Sequence, residues 1–290
     1  MQSVMKNIYI TGIHGFIGET IRGIFEKYGY KVNAIPRNVL FEGGMALKEY
    51  IEDADVIVNL AGKSIMGRWT ARGKEEIMRS RVLATRNLVR AVNALQRKPQ
   101  VFINASAVGI YKEGSVSDEN ATTYDSGFLA EVVKGWEKEV AYLEDVRKVI
   151  LRFGIVLGKN GGVLKQLKRS FRFHLFLIMG SGKQVFPVVH VKDIAGFIRY
   201  AIENRDIEGI YNMVIPNSLS YLEFTKALEE HIRIKITIKV PEKVLLMLLG
   251  ESALVLTRSA NVIPFRTLHS GYRMQYPDLK SILSDVLIDD

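Results

Sequence analysis

The chain has 290 residues, 48% of them hydrophobic and 24% charged, with a formal net charge of +9 and no cysteine. That length and balance belong to a globular protein with a full core, and the lack of cysteine excludes disulfides and thiolate chemistry. The apolar stretches at 173–180 and 244–250 fall short of the roughly 20 residues needed to span a bilayer, and the five histidines lack metal-ligand spacing, so neither a membrane segment nor a metal site is expected.

In chain order, a strand is expected at 7–11 and a helix at 16–28, joined through KNIYITGIHGFIG, in which Gly12, Gly15 and Gly18 recur every third residue. A glycine turn between strand and helix reads as the start of a dinucleotide-binding βαβ unit. Gly12 permits the tight exit, Gly15 lets a pyrophosphate approach the backbone, and Gly18 lets the helix pack closely. The helix N-terminus, with Phe16 and Ile17 in its first turn, would face the phosphates with free N–H groups and the positive end of its dipole.

A strand at 31–35 ends in NAIPRN. Where an acidic residue would bind the ribose 2′-hydroxyl of NAD(H), this chain has Arg37, either a bidentate partner for a 2′-phosphate or only a solvated loop residue, and the first reading makes NADP(H) the expected cofactor over NAD(H). After a helix at 44–52, the strand at 55–60 ends in VIVNLAG, which would carry Asn59, Leu60, Ala61 and Gly62 past the adenosine half of the cofactor.

The helix expected at 71–97 has an apolar stripe of Ile77, Ala84, Leu88, Ala91 and Leu95, with Arg72, Arg79, Arg86, Arg90 and Arg97 opposite it as a solvated face. Arg81 falls within the stripe, where a charge needs a partner. Two readings stay open: Arg81 binds an anionic group of the cofactor, with Glu76 as a ribose-hydroxyl acceptor, or Arg81 makes a structural salt bridge or snorkels.

A strand at 100–106, a helix at 126–145 and a strand at 148–153 complete the alternation. Beyond them come a basic amphipathic stretch at 163–178, a strand at 185–189, a helix at 193–204 with Asp193 as N-cap, a strand at 211–214, a helix at 220–231, a strand near 234–240, a helix opened by Pro241 and a last helix from Pro277. The pattern predicts an α/β protein with a Rossmann-like doubly wound parallel sheet over 1–160. A smaller C-terminal α+β substrate lobe is expected over 161–290, with interleaving of the two allowed. The positive charge concentrates at 63–98 and 159–172, but few aromatic residues interleave there, so nucleic acid is not an expected partner.

Eight segments together carry a family resemblance: TGIHGFIG (11–18), NLAGKSI (59–65), RWT (68–70), SR (80–81), SAVGIY (106–111), GSGKQVFPVVHVKD (180–193), GESALVL (250–256) and PDLKSIL (277–283). In them the chain resembles the extended or atypical short-chain dehydrogenase/reductases. More narrowly it is similar to the NAD-dependent epimerase/dehydratase-like family with a distinctive C-terminal domain, sometimes labelled cell-division-inhibitor-like. It departs from that pattern at Ile13 and His14, which replace Gly and Thr, and at Val188 and Lys192. His14 either touches a phosphate or shields one.

The resemblance implies hydride transfer, for which the superfamily pairs tyrosine and lysine four residues apart on the helix after the 100–106 strand. Here that pair becomes Phe128/Val132 or Leu129/Val133, neither of which holds an acid or base. Ser106 is the remaining catalytic candidate, either orienting a substrate carbonyl or simply closing the end of its strand, and by one register Ala107 takes the catalytic slot; Tyr111, Tyr124, Glu131 and Lys134 are the replacement proton donors. In the part implied to bind substrate, Gln184, His190 and Arg152 are candidate contacts, and Lys183 a weaker one; His190 also fits a core role and Arg152 a backbone contact. The expected activity is an NADP(H)-dependent oxidoreductase or epimerase-type step on an unidentified small molecule in the cytoplasm, with a homodimer left open. The alternative is a non-catalytic NADP(H)-binding regulatory or redox-sensing protein.

Overall fold

Alternation with a period of two sorts the first strand onto two faces: in β1 (Asn7–Thr11), Ile8 and Ile10 join one core cluster and Tyr9 another. The computed structural model describes residues 6–159, 161–171, 174–232, 236–258 and 260–287. After β1 come α1 (Phe16–Lys27), β2 (Lys31–Ile35), α2 (Arg37–Glu42), α3 (Gly44–Tyr50), β3 (Val56–Asn59), α4 (Ala71–Asn93) and β4 (Val101–Ala107). A short 3₁₀ turn, Val108–Ile110, leads to β5 (Val116–Ser117), α5 (Phe128–Ala141), β6 (Arg147–Phe153) and β7 (Ile155–Leu157). The remainder holds α6 (Gly162–Phe171), β8 (Leu175–Met179), β9 (Val188–His190), α7 (Val191–Glu203), β10 (Gly209–Met213), α8 (Tyr221–Glu229) and β11 (Ile236–Val240). Last come α9 (Glu242–Leu249), a 3₁₀ turn at Gly250–Ala253, α10 (Leu254–Thr257), β12 (Asn261–Val262), α11 (Phe265–His269) and α12 (Leu279–Leu287).

Six parallel strands form the main sheet in the order β10-β6-β4-β3-β1-β2. One face packs on α1 and α7 through Ile21, Phe25, Ile194 and Phe197, and the other on α3 and α4 through Leu47, Ala84 and Leu88. This is the Rossmann-like α/β architecture with a smaller C-terminal region, whose own core gathers Phe176, Phe186, Phe224 and Ile282. The chain leaves β1 toward β2 on one side and returns to β3 on the other. The cleft at the carboxyl ends of β1 and β3 is therefore the topological switch point, the ordinary ligand site of such sheets. Strand β10 and helix α7 come from beyond residue 160 and complete this sheet and its cover. Among the described residues, no helix is long and apolar enough to cross a membrane.

Several expected elements change. The helix expected at 71–97 stops at Asn93, where the Lys98 ammonium bonds the carbonyls of Val92 and Asn93 and fills the place of the next turn. Arg37 opens a short helix rather than lying in a loop, because Pro36 sets the extended N-cap; Gly43, at φ 68°, ends it. The basic stretch at 163–178 is two elements, α6 and β8, separated at His174 with φ 53°, while residues 172 and 173 lie outside those described. Of the strand expected near 234–240, residues 234 and 235 also lie outside, and β11 is seen from Ile236. Asp193 is not the N-cap of α7: His190 is, its Nδ1 accepting from Lys192 N at 3.2 Å.

Candidate functional site

The glycine turn meets the end of β3 at the switch point. Gly12 has φ 67°, and a Cβ there would lie 2.7 Å from Leu60 O, so only glycine fits both the conformation and the approach. A Cβ on Gly18 would stand 2.5 Å from Gly12 O and 2.6 Å from Ile13 Cα, which packs α1 against the turn itself. Gly15 is the N-cap of α1 and has more room, the nearest atom to its would-be Cβ being Gly12 O at 3.2 Å. His14 is exposed on the turn, Ile17 packs on the sheet, and the Phe16 ring lies against Gly158, Gly161 and Gly162.

A buried polar network holds the strand ends. Thr11 Oγ1 donates to Asn59 Oδ1 at 2.7 Å and accepts from Leu60 N and Ala61 N, while Asn59 Nδ2 donates to Thr85 Oγ1 and Asn104 Oδ1. Fully buried Asn59 thus faces protein partners, and its effect on the cleft is to place Leu60 and Ala61.

Arg81 lies against Gly62, where a Cβ would fall 3.0 Å from its Cζ, and its guanidinium stands 5.4 Å from the Trp136 ring centroid. Its protein hydrogen bonds are long ones from Nη1 to Ile77 O and Ser80 Oγ, at 3.4 and 3.5 Å, and among the described residues no carboxylate pairs with it. Burial alone pushes its pKa down, to about 10. Beside it the buried indole N–H of Trp136 has no acceptor. Glu76, by contrast, is at the exposed rim and bonded to Lys63 and Arg72, which hold its carboxyl below the usual range. The arginines opposite the stripe are not uniformly solvated: Arg86 bonds Glu139 at 2.7 Å, Arg97 pairs with Asp55, and Arg79 lies over Phe41.

Ser106 belongs to a second cluster. Its Oγ donates to Glu137 Oε1 at 2.6 Å, and Arg152, fully buried on β6, donates to both Glu137 oxygens at 2.8 Å. Arg152 also donates to Tyr111 Oη at 2.9 Å and Tyr124 Oη at 3.4 Å, while Tyr111 donates to Asn212 Oδ1 at 2.8 Å. Burial lowers the Arg152 pKa, but the bonds and charge of Glu137 outweigh it and hold it above the ordinary value. Burial pushes the Tyr111 phenol up to about 12, against the lowering effect of Arg152. Tyr111 and Arg152 therefore form a closed network that places Glu137, and through it Ser106. Lys134 donates to Asp125 O, and Glu131 is exposed.

Phe128 and Leu129 open α5, and Val132 and Val133 are buried in it. The Phe128 ring meets Trp69 at 5.1 Å and the Lys74 ammonium at 5.0 Å, and Lys74 pairs with Glu251. The segments 68–70 and 250–256 thus converge at the start of α5. Gln184 is set apart, its Nε2 donating to the carbonyls of Met179 and Leu256, while Lys183 is exposed. His190 is buried as a cap, with Nε2 3.2 Å from Asp285 Oδ2 but too oblique for a hydrogen bond, and burial lowers its pKa to about 4. Asp193 binds Gln275 N, Tyr276 N and the Tyr272 hydroxyl and so anchors the C-terminal segment.

Glu137, Trp136 and Phe41 were not among the expected site residues. The signal for Glu137 was present: a carboxylate on the apolar face of α5 and an arginine within the apolar run VILRF each need a partner, and they meet.

A model of the NAD dependent epimerase/dehydratase family matches residues 8–213, and one described as a domain of unknown function, DUF1731, matches residues 240–286. Epimerase family protein YfhF of Bacillus subtilis (strain 168) is 35% identical, the alignment covering 98% of each chain. Epimerase family protein SDR39U1 of Mus musculus is 31% identical over 97% of this chain and 99% of its own. The crystal structure of human epimerase family protein SDR39U1 (isoform2) with NADPH superimposes with a TM-score of 0.88 at 28% identity, covering 97% of this chain and 99% of that one.

Proposed function

The chain belongs to the NAD dependent epimerase/dehydratase family, and from that premise we propose that it binds NADP(H) and performs an oxidoreductase or epimerase-type step on a small molecule. The observation that carries the reading is Arg81: a half-buried guanidinium against Gly62, with no counter-ion among the described residues, fits an anionic group of a dinucleotide. The crowding at Gly12 and Gly18 supports the same site, since any Cβ there would meet backbone. In this reading Gly12, Gly15 and Gly18 face the pyrophosphate, Leu60 to Gly62 line the adenosine side, and Arg37 binds the 2′-phosphate. The NADPH of the human SDR39U1 crystal structure agrees with that choice.

When bound, the nicotinamide supplies or accepts a hydride. The protein's part is to orient the substrate. Ser106 orients a substrate oxygen, its hydroxyl fixed by Glu137, and Arg152 and Tyr111 act as positioning residues behind it. A second reading, a non-catalytic NADP(H)-binding regulator, draws on Phe128, Leu129, Val132 and Val133, which offer no acid or base on α5.

Fluorescence titration with NADPH, followed by assay of the loaded protein on a panel of carbonyl compounds, tests both. Turnover that is lost in Ser106→Ala supports the enzyme. Tight binding without turnover supports the regulator, and binding of neither NADPH nor NADH removes both.

A further inference from the structure

Arg79 lies on the face of α4 that the helical pattern assigns to solvent, yet its Cζ stands 5.8 Å from the centroid of the Phe41 ring on α2. Arg37, at the start of α2, places its Cζ 5.5 Å from the same centroid. The two helices are locked together at this point: Asn87, two turns beyond Arg79 on α4, donates Nδ2 to Leu40 O at 3.0 Å and to Phe41 O at 3.3 Å. Gly43 leaves the space for that contact, since a Cβ there would fall 3.1 Å from the Asn87 amide. Phe41 therefore has a defined position beside two cations contributed by different elements.

Among the described residues, neither guanidinium has a carboxylate within ion-pair reach. A guanidinium held over a ring without a carboxylate keeps N–H donors, and these are the groups that grip phosphate. Two such cations brought to one ring, with like charges and no carboxylate to pair them among the described residues, make a seat for a doubly charged phosphate monoester.

We propose that Arg79 is the second arm of the 2′-phosphate seat and decides, with Arg37, the choice of NADP(H) over NAD(H). The proposal rests on the NADP(H) reading above and extends it to a residue from α4. Phe41 is the spacer that holds both arms at a fixed separation.

The test is the dissociation constants of NADPH, NADH, adenosine 2′,5′-bisphosphate and adenosine 5′-monophosphate for the wild type, Arg79→Gln, Arg79→Lys and Arg37→Gln. Loss of a charge-assisted phosphate contact should weaken NADPH and the bisphosphate about ten- to a hundredfold in Arg79→Gln, with NADH and the monophosphate unchanged. Arg79→Lys should recover part of the loss, because it restores the charge without the fork. Unchanged NADH binding also shows that the variant is folded. If Arg37→Gln removes the NADPH preference and Arg79→Gln does not, or if Arg79→Gln weakens both dinucleotides equally, the assignment of Arg79 is overturned. A wild type with no preference for NADPH overturns the NADP(H) reading itself.

Discussion

Arg152 on β6 is fully buried, and Arg81 on α4 is half-buried. Arg152 has two carboxylate oxygens at 2.8 Å and two phenols around it, whereas Arg81 has a carbonyl and a hydroxyl at 3.4 and 3.5 Å. The pKa values diverge accordingly, with Arg152 held above the ordinary value by Glu137 and Arg81 brought down to about 10 by burial. A cation with its counter-ion built in belongs to the scaffold; in the reading proposed above, one with no counter-ion among the described residues is held for a ligand. His190 is intermediate, buried beside Asp285 without a hydrogen bond to it.

The largest effect should come from breaking the satisfied cluster. Glu137→Ala strands the Arg152 charge and should lower unfolding free energy by about 3–5 kcal/mol, measured by urea melts. The double variant Glu137→Leu, Arg152→Met should recover most of that loss. A single variant as stable as wild type would mean that Arg152 is not a scaffold charge.

The histidine gives a pH signature. Burial holds its pKa at about 4 against an ordinary 6.5, so the unfolded chain takes up the proton first as pH falls. Its contribution to stability is complete above about 6.5 and lost toward pH 4, a change of about 3 kcal/mol. Melts of wild type and His190→Asn across that range should converge at low pH; parallel curves would show that His190 does not titrate in that window.

A smaller effect is expected at the orphan indole N–H beside Arg81. Trp136→Phe keeps an aromatic ring, though a smaller one, and removes the donor, and should weaken NADPH by about 0.5–1.5 kcal/mol, the usual value of one neutral hydrogen bond. A variant with unchanged NADPH affinity would separate Trp136 from the ligand site.

Much of the sheet was legible because its signals are local. The strand β1, the glycine turn and the stripe Ile77, Ala84, Leu88 and Ala91 follow from periodicity and from glycine's backbone freedom, and the stripe is buried as the pattern requires. Arg81 was legible as an anomaly, a charge on an apolar face. The partners of charges were not, because pairing depends on tertiary contact: Glu137 lies 15 residues from Arg152 and 31 from Ser106 in sequence. The same reason hid the capping role of His190, the inward turn of Asn59 and the meeting of Arg79 with Arg37. The short α2 was missed because its helix is set by Pro36 and by Asn87 on another element rather than by its own pattern.

The assignment of Arg81 to an anionic cofactor group and of Arg152 to the scaffold meets its strictest check in NADPH titration and thermal melting of Arg81→Met beside wild type. NADPH affinity should fall about ten- to a hundredfold, with a melting temperature equal to or above wild type because an uncompensated, half-buried charge has been removed. Unchanged NADPH affinity, or a loss of stability like that of Glu137→Ala, would contradict it.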